Sequence, residues 1–173
     1  MIRQLAIAAA LATAAPAALA QPAAAPNDAQ IAHIAYTAGE LDIAAAKQAL
    51  DKSKSKDVRD FASQMVSDHT AVNQQALALV KKLNVTPEAN PTSAALTKAA
   101  EAKRRELAGL SGAAFDKAYV ANEVAYHQQV NGALEKTLIP DAKNGELKGL
   151  LQTGLKLFRE HETHAEHLAA ELK

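Results

Sequence analysis

From Asp28 onward, apolar residues return every three or four positions rather than every second one, which is the spacing of a helix face. Ile31, Ile34, Ala38, Leu41, Ala45 and Ala49 form the first stripe behind Asn27-Asp28, which can cap it, and predict a helix over 28–52. A Ser/Lys cluster interrupts the pattern. Ser55 then offers a second cap, and Val58, Phe61, Met65, Val72, Ala76, Leu79 and Leu83 carry a second stripe. From Asn84 to Ser93, Pro87 and Pro91 predict a break. A shorter Lys- and Glu-rich helix is expected at about 93–108, ended by Gly109 and Gly112. A third long helix, 113–137, shows Phe115, Tyr119, Val130, Leu134 and Leu138 and is expected to stop at Ile139-Pro140-Asp141. The last, 144–172, shows Leu147, Leu151, Leu155, Phe158, Ala165, Leu168 and Leu172.

Short links inside each pair make two antiparallel hairpins, whereas the 84–112 connection is long enough to travel the length of a bundle. The expected architecture is therefore all-α: a ferritin-like four-helix bundle, two antiparallel hairpins joined by a long crossover that contains a short extra helix. In that topology the second and third long helices run parallel.

The first 27 residues follow another pattern. Arg3 precedes an uncharged Ala/Leu-rich stretch, and Ala18-Leu19-Ala20 supplies a small-x-small cleavage pattern, so 1–20 reads as a secretory signal and 21–27 as a Pro/Ala leader to a single domain at 28–173. Pro16, Pro22 and Pro26 argue against an uncleaved membrane anchor. With 19 basic and 19 acidic residues the chain has no electrostatic footprint for nucleic acid. The absence of Cys excludes disulfides, thiolate metal sites and cysteine nucleophiles. The location expected is the periplasm, with no integral span after signal cleavage and with an envelope protein or a second copy of the chain as partner.

Chemistry is carried by polar residues that interrupt the stripes. His69 falls between Met65 and Val72, Glu123 and His127 between Tyr119 and Val130, His161 between Phe158 and Ala165, and Glu40 beside Leu41. Counted along a ferritin-like bundle, Glu40, His69, His127 and His161 come level to within about a turn. Counted from the opposite turn, Glu123 is the better partner for His161. The usual di-iron signature requires Glu-x-x-His, but Val66, Val124 and Phe158 stand three residues before the three histidines. A site of two or three imidazoles and a carboxylate suits Zn, Cu, Ni or Fe instead. The competing reading is a structural one, in which a seam histidine bonds a carboxylate across the bundle and fixes its register. His164 and His167 read as surface cations near a helix C-terminus, His33 has no evident partner, and Met65 reads as core. No phosphate loop, nucleophile elbow or His-Glu-x-x-His supports a hydrolase or transferase.

The segment Val58 to Thr70 with its Met-Val-x-Asp-His run, the stretch Lys82 to Pro91, the segment Ala114 to His127 with Phe-Asp-x-x-Tyr, and Thr137-Leu-Ile-Pro140 together resemble a bacterial family of exported proteins. Members are labelled outer-membrane or domain-of-unknown-function proteins. The resemblance covers about 30–170 and implies a ferritin-like fold. Its recurrent histidines correspond to His69, His127 and His161, with His161-Glu162 standing where the family has His-Leu. It implies no particular activity. Two function classes follow: a non-catalytic, stress-related envelope protein with structural histidines, or a metal-binding ferritin-like protein that stores, buffers or oxidises.

Overall fold

Most of the helices begin where the chain offers a side chain to the free N–H groups of a first turn. Asn27 accepts from the Gln30 N–H at 2.9 Å, and Gln30 returns a bond to the Asn27 N–H. Asn90 does the same with Ser93, Ser55 accepts from Val58, and Asn144 accepts from Glu146 and Leu147. A computed structural model describes residues 25–172. In it α1 spans Asp28–Lys52, α2 Lys56–Lys82, α3 Pro91–Ala108, α4 Gly112–Ala133 and α5 Gly145–Glu171. The expected signal segment at 1–20 lies outside the described residues, as does the leader up to residue 24. Among those described there is no strand, and no helix is long and apolar enough to cross a membrane.

The end of α2 is closed by Asn84 in the left-handed region at φ 52°, with Val85 N–H bonding to Val80 O and Asn84 N–H to Lys81 O. The loop that follows is pinned to the start of α1, where Glu88 N–H bonds to Ala29 O and Asn90 Nδ2 to Gln30 O. At the far end of α3, Gln48 Nε2 donates to Arg104 O and Lys52 Nζ to Ala108 O. Thus α3 lies along α1 from one end to the other, and α4 starts at the end where α2 starts. The Asp28 carboxylate accepts from the Lys143 and Asn144 N–H groups, tying the start of α1 to the start of α5. So α2 and α4 run one way, and α1, α3 and α5 the other.

Two boundaries differ from the expected ones. Helix α3 begins at Pro91, two residues early, because proline suits a first helical turn, where no N–H donor is needed. The stop expected at Ile139-Pro140-Asp141 comes later. After Ala133 the chain widens into a π-helical segment, Leu134–Leu138, and Ile139–Asp141 is still helical before Ala142 turns away.

Burial divides the interior into two apolar clusters. One gathers Ala45, Ala46 and Ala49 with Val58, Phe61, Met65, Leu107, Phe115, Tyr119 and Leu168. The other gathers Ile31, Ile34, Val80, Leu134, Leu138, Leu147 and Leu151. Between them, at mid-height, sits a layer of buried polar side chains.

Candidate metal centre

Each long helix contributes to that layer. On α1, Asp42 continues the seam Ala38–Asp42–Ala45–Ala49 and is 1% exposed. Helix α2 supplies His69, α4 supplies Glu123 and His127 one turn apart, and α5 supplies His161, all buried. Their rings form a triangle, with centroids 5.7 Å apart for His69–His127, 5.3 Å for His69–His161 and 5.4 Å for His127–His161. One ring nitrogen from each lies within 4.8 Å of those of the other two, and one ligand atom each from Asp42, Glu123 and His127 meets the same limit.

Neighbouring groups orient the rings. His127 Nδ1–H donates to the Glu123 carbonyl at 3.0 Å, which leaves Nε2 with its lone pair 3.7 Å from Asp42 Oδ2. His161 Nε2–H donates to Asp68 at 3.0 Å, which leaves its Nδ1 buried and unpartnered. A carboxylate behind an imidazole is the arrangement that fixes the tautomer of a metal-ligating histidine. His69 Nε2 lies 3.5 Å from Asp42 Oδ2, and its ring stacks on Phe158 at 4.7 Å.

Burial sets the charge state. It pushes Asp42 up to about 7 and Glu123 well above the usual carboxyl range, the second carboxylate adding to the effect on Glu123. It pulls His127 down to about 4 and His69 well below its ordinary value, with the neighbouring imidazoles pulling the same way. His161 is also lowered, by burial opposed by Asp68. Without a cation the layer is thus a set of neutral imidazoles around two buried carboxyls that lean on each other, Asp42 being part-ionised near neutral pH.

Nine of its buried atoms have no hydrogen-bond partner: both oxygens of Asp42 and of Glu123, both nitrogens of His69, His127 Nε2, His161 Nδ1 and the Tyr119 hydroxyl. An unsatisfied buried polar group costs about 1–3 kcal/mol, so atoms of this kind gathered at one level call for a partner among them. Ligand atoms ~2.1 Å from a tetrahedral ion stand about 3.4 Å from one another. The 3.5 and 3.7 Å separations of the two imidazole nitrogens from Asp42 Oδ2 are close to that edge. The donor set fits a transition ion.

A family model, described as a domain of unknown function, DUF4142, matches residues 13–168. The chain belongs to the DUF4142 family. No curated protein matches it. A solved structure from Streptomyces coelicolor, described as a secreted protein, DUF305, is similar with a TM-score of 0.69 at 12% identity, covering 84% of this chain and 93% of that one. At that identity the likeness concerns the helical fold alone.

Of the residues singled out in this DUF4142 chain, the structure brings together His69, Glu123, His127 and His161. It does not include Glu40, which is exposed and accepts a bond from Asn73 Nδ2 at 2.8 Å. The carboxylate on α1 is Asp42. Its stripe steps from 38 to 42 to 45 to 49, whereas the expected stripe ran through the apolar Leu41, which is only half-buried, and passed over Asp42. Asp68 was part of a motif without a role, and it holds His161. The six histidines split cleanly: His164 and His167 are exposed, and His33 bonds only to the Thr37 hydroxyl one turn on, at 3.3 Å.

Proposed function

We propose that this protein binds one divalent transition-metal ion in the mid-height layer, through His69, His127 and His161 with Asp42, and with Glu123 as the second carboxylate. The observation that carries this reading is the convergence of unpartnered buried donor atoms from all four long helices. Imidazole and carboxylate without thiolate is a donor set for Zn, Fe, Ni or Cu(II). The bundle is ferritin-like in our reading, because α3 carries the chain back along α1 so that α2 and α4 run parallel. The site is not the di-iron kind, since no Glu-x-x-His is present. We read the role as non-catalytic holding or buffering of the ion in the periplasm of an exported chain. Arg3, the Ala/Leu stretch and Ala18-Leu19-Ala20 support export.

Metal-free protein titrated with Zn(II) should take up one equivalent and melt at a higher temperature. His127→Leu should take up none, while Glu40→Gln should behave as the wild type. Wild-type protein that melts at the same temperature with chelator and with excess Zn, Fe(II), Ni or Cu(II) overturns the reading and leaves the histidines structural.

A further inference from the structure

The five side chains of the layer are 0–3% exposed, so an ion must have a way in before it can be held there. A divalent ion carries a shell of tightly bound water. Taking it through hydrocarbon is strongly unfavourable, whereas a path of ligand atoms replaces the shell one member at a time. Two approaches reach the layer. On the side of the α1 start, a cavity touches His69 and His127, but much of its wall is apolar, with Ile34, Val72, Ala76, Val130 and Leu151 among the residues that line it. Neither Asp42 nor Glu123 lines it. Near the layer its polar members, Asn73 and Tyr126, donate to Glu40 and to the Ala38 carbonyl. The ring nitrogens turn elsewhere as well, His69 Nε2 and His127 Nε2 to Asp42 and His127 Nδ1 to the Glu123 carbonyl.

The other approach is the seam between the antiparallel helices α2 and α5. His161 Nε2–H donates to Asp68 at 3.0 Å, and one turn along the seam His164 Nδ1 lies 3.2 Å from Gln64 Oε1, its ring edge-on to Phe61 at 5.1 Å. The Asp68 side chain is 29% exposed, while the His161 side chain behind it is 0% exposed. Gln64 and His164 reach solvent beside it, as does Glu160, and the charges of Glu160 and His164 bear on the His161 ring. Polar atoms therefore run without a break from solvent to the layer. Asp68 stands outside, His161 Nε2 lies against it, and His161 Nδ1 is buried and unpartnered where the ring meets those of His69 and His127.

We propose that the α2–α5 seam at Asp68 is the port through which the divalent ion enters and leaves the layer, with Asp68 as the outer ligand that receives it and Glu160 and His164 as the neighbours that draw it there. Asp68 takes the ion with part of its water still bound. Engaging that carboxylate frees His161, and rotation of this one side chain presents the Nδ1 lone pair to the ion. As the ring turns back, Nδ1 brings the ion to His69, His127 and Asp42, and Nε2–H, which keeps its proton throughout, closes on Asp68 again. The port rests on the metal reading above, because without a bound ion there is nothing to admit.

The test mixes metal-free protein rapidly with Co(II), whose visible absorbance reports its arrival among imidazoles, and follows release into excess chelator. A port speeds entry and exit alike. Asp68→Asn, whose amide oxygen can still accept from His161 Nε2–H, should therefore slow both uptake and release by about tenfold or more. Glu160→Gln and His164→Gln should each slow uptake by roughly twofold to fivefold, with release slowed in step and the equilibrium affinity unchanged. Ala76→Phe, which fills part of the cavity, should leave both rates as in the wild type. If Asp68→Asn takes up cobalt as fast as the wild type and only loses it faster, Asp68 does no more than orient His161, and the port is overturned while the metal reading stands. Slow uptake in Ala76→Phe with wild-type uptake in Asp68→Asn moves the entrance to the cavity and overturns the port as well. A wild type that takes up no cobalt overturns the metal reading, and the port with it.

Discussion

The two apolar clusters are built from the same four long helices, yet they are filled differently. Towards the α1–α2 turn, three large rings, Phe61, Phe115 and Tyr119, pack against alanines. Phe61 and Tyr119 meet edge-on at 6.3 Å and Phe115 stacks on Tyr119 at 6.1 Å, with all three fully buried. Towards the α1 start, the cluster's buried core among the described residues has a single ring, Phe158, which sits at the level of the polar layer. Val72, Leu79, Val130 and Leu155 stay only partly buried, and the helices enclose a cavity of about 570 Å³ instead. The Ala-rich stripe of α1 lets ring-bearing helices approach closely at one end. At the other, aliphatic side chains do not reach across, and the π-helical segment Leu134–Leu138 widens the end of α4. One half holds the polar layer in place, and the other leaves open space beside it.

The largest effects should separate the two halves. Phe61→Ala removes a fully buried ring from a filled region and should cost about 3–5 kcal/mol. Leu151→Ala faces the cavity, has fewer neighbours to lose, and should fall near the bottom of the range for such truncations, about 2 kcal/mol. Urea unfolding of both variants decides it, and equal costs would mean that the cavity half is as tightly packed as the other.

Enlarging side chains reverses the order. Ala46→Leu in the filled half should destabilise by about 1–3 kcal/mol. Ala76→Leu, lining the cavity, should be neutral or stabilising. A marked loss at Ala76 would show that the cavity wall cannot accept added volume.

The polar layer between the halves answers to pH. Asp42 is pushed up to about 7 in the folded protein, so the carboxyl contributes stability that is present below its unfolded value of about 4 and is lost as pH rises through 7. His127, pulled down to about 4, works in the opposite sense, losing stability as pH falls from about 6.5 to 4. Asp42→Asn should therefore raise the melting temperature of metal-free protein at pH 8, by several degrees, and change it less at pH 5. The same variant should bind metal far more weakly. A melting temperature that drops at pH 8 would mean that the Asp42 carboxylate has a partner even without an ion.

Much of this was legible from residue spacing, because helix periodicity and capping are local. Asn27, Ser55 and the four long stripes are written in neighbouring residues. Direct inspection of the stripes likewise picked out His69, Glu123, His127 and His161, since a polar residue in an apolar seam is conspicuous. What did not follow from spacing was which of two adjacent residues, Leu41 or Asp42, faces inward. One residue is a 100° turn of the helix, and hydrophobicity pointed the wrong way at a place where the interior takes a carboxyl. The cavity was equally invisible, because Val72, Ala76 and Leu151 sit on regular stripes and only their mutual distances leave a gap.

The smallest effect concerns the border between layer and cavity, where α1 and α2 touch at Gly39. A Cβ built there would lie 2.4 Å from Asn73 Oδ1 and 2.9 Å from its Cγ, so the amide must move. Asn73 is 5% exposed and donates to Glu40 at 2.8 Å, and shifting it forfeits a bond worth about 1 kcal/mol. Alanine in place of glycine returns about 1 kcal/mol of helix propensity, so Gly39→Ala should cost only about 1 kcal/mol, the excess coming from the forced separation of the helices. Asn73→Ala in the same chain removes the obstruction, so the double variant should be more stable than additivity of the two singles allows. If Gly39→Ala instead stabilises by the full ~1 kcal/mol that propensity provides, then α1 and α2 part freely at this level. The border would then belong to the open half rather than to the filled one, and the wall between ion and cavity would be the weakest part of the bundle.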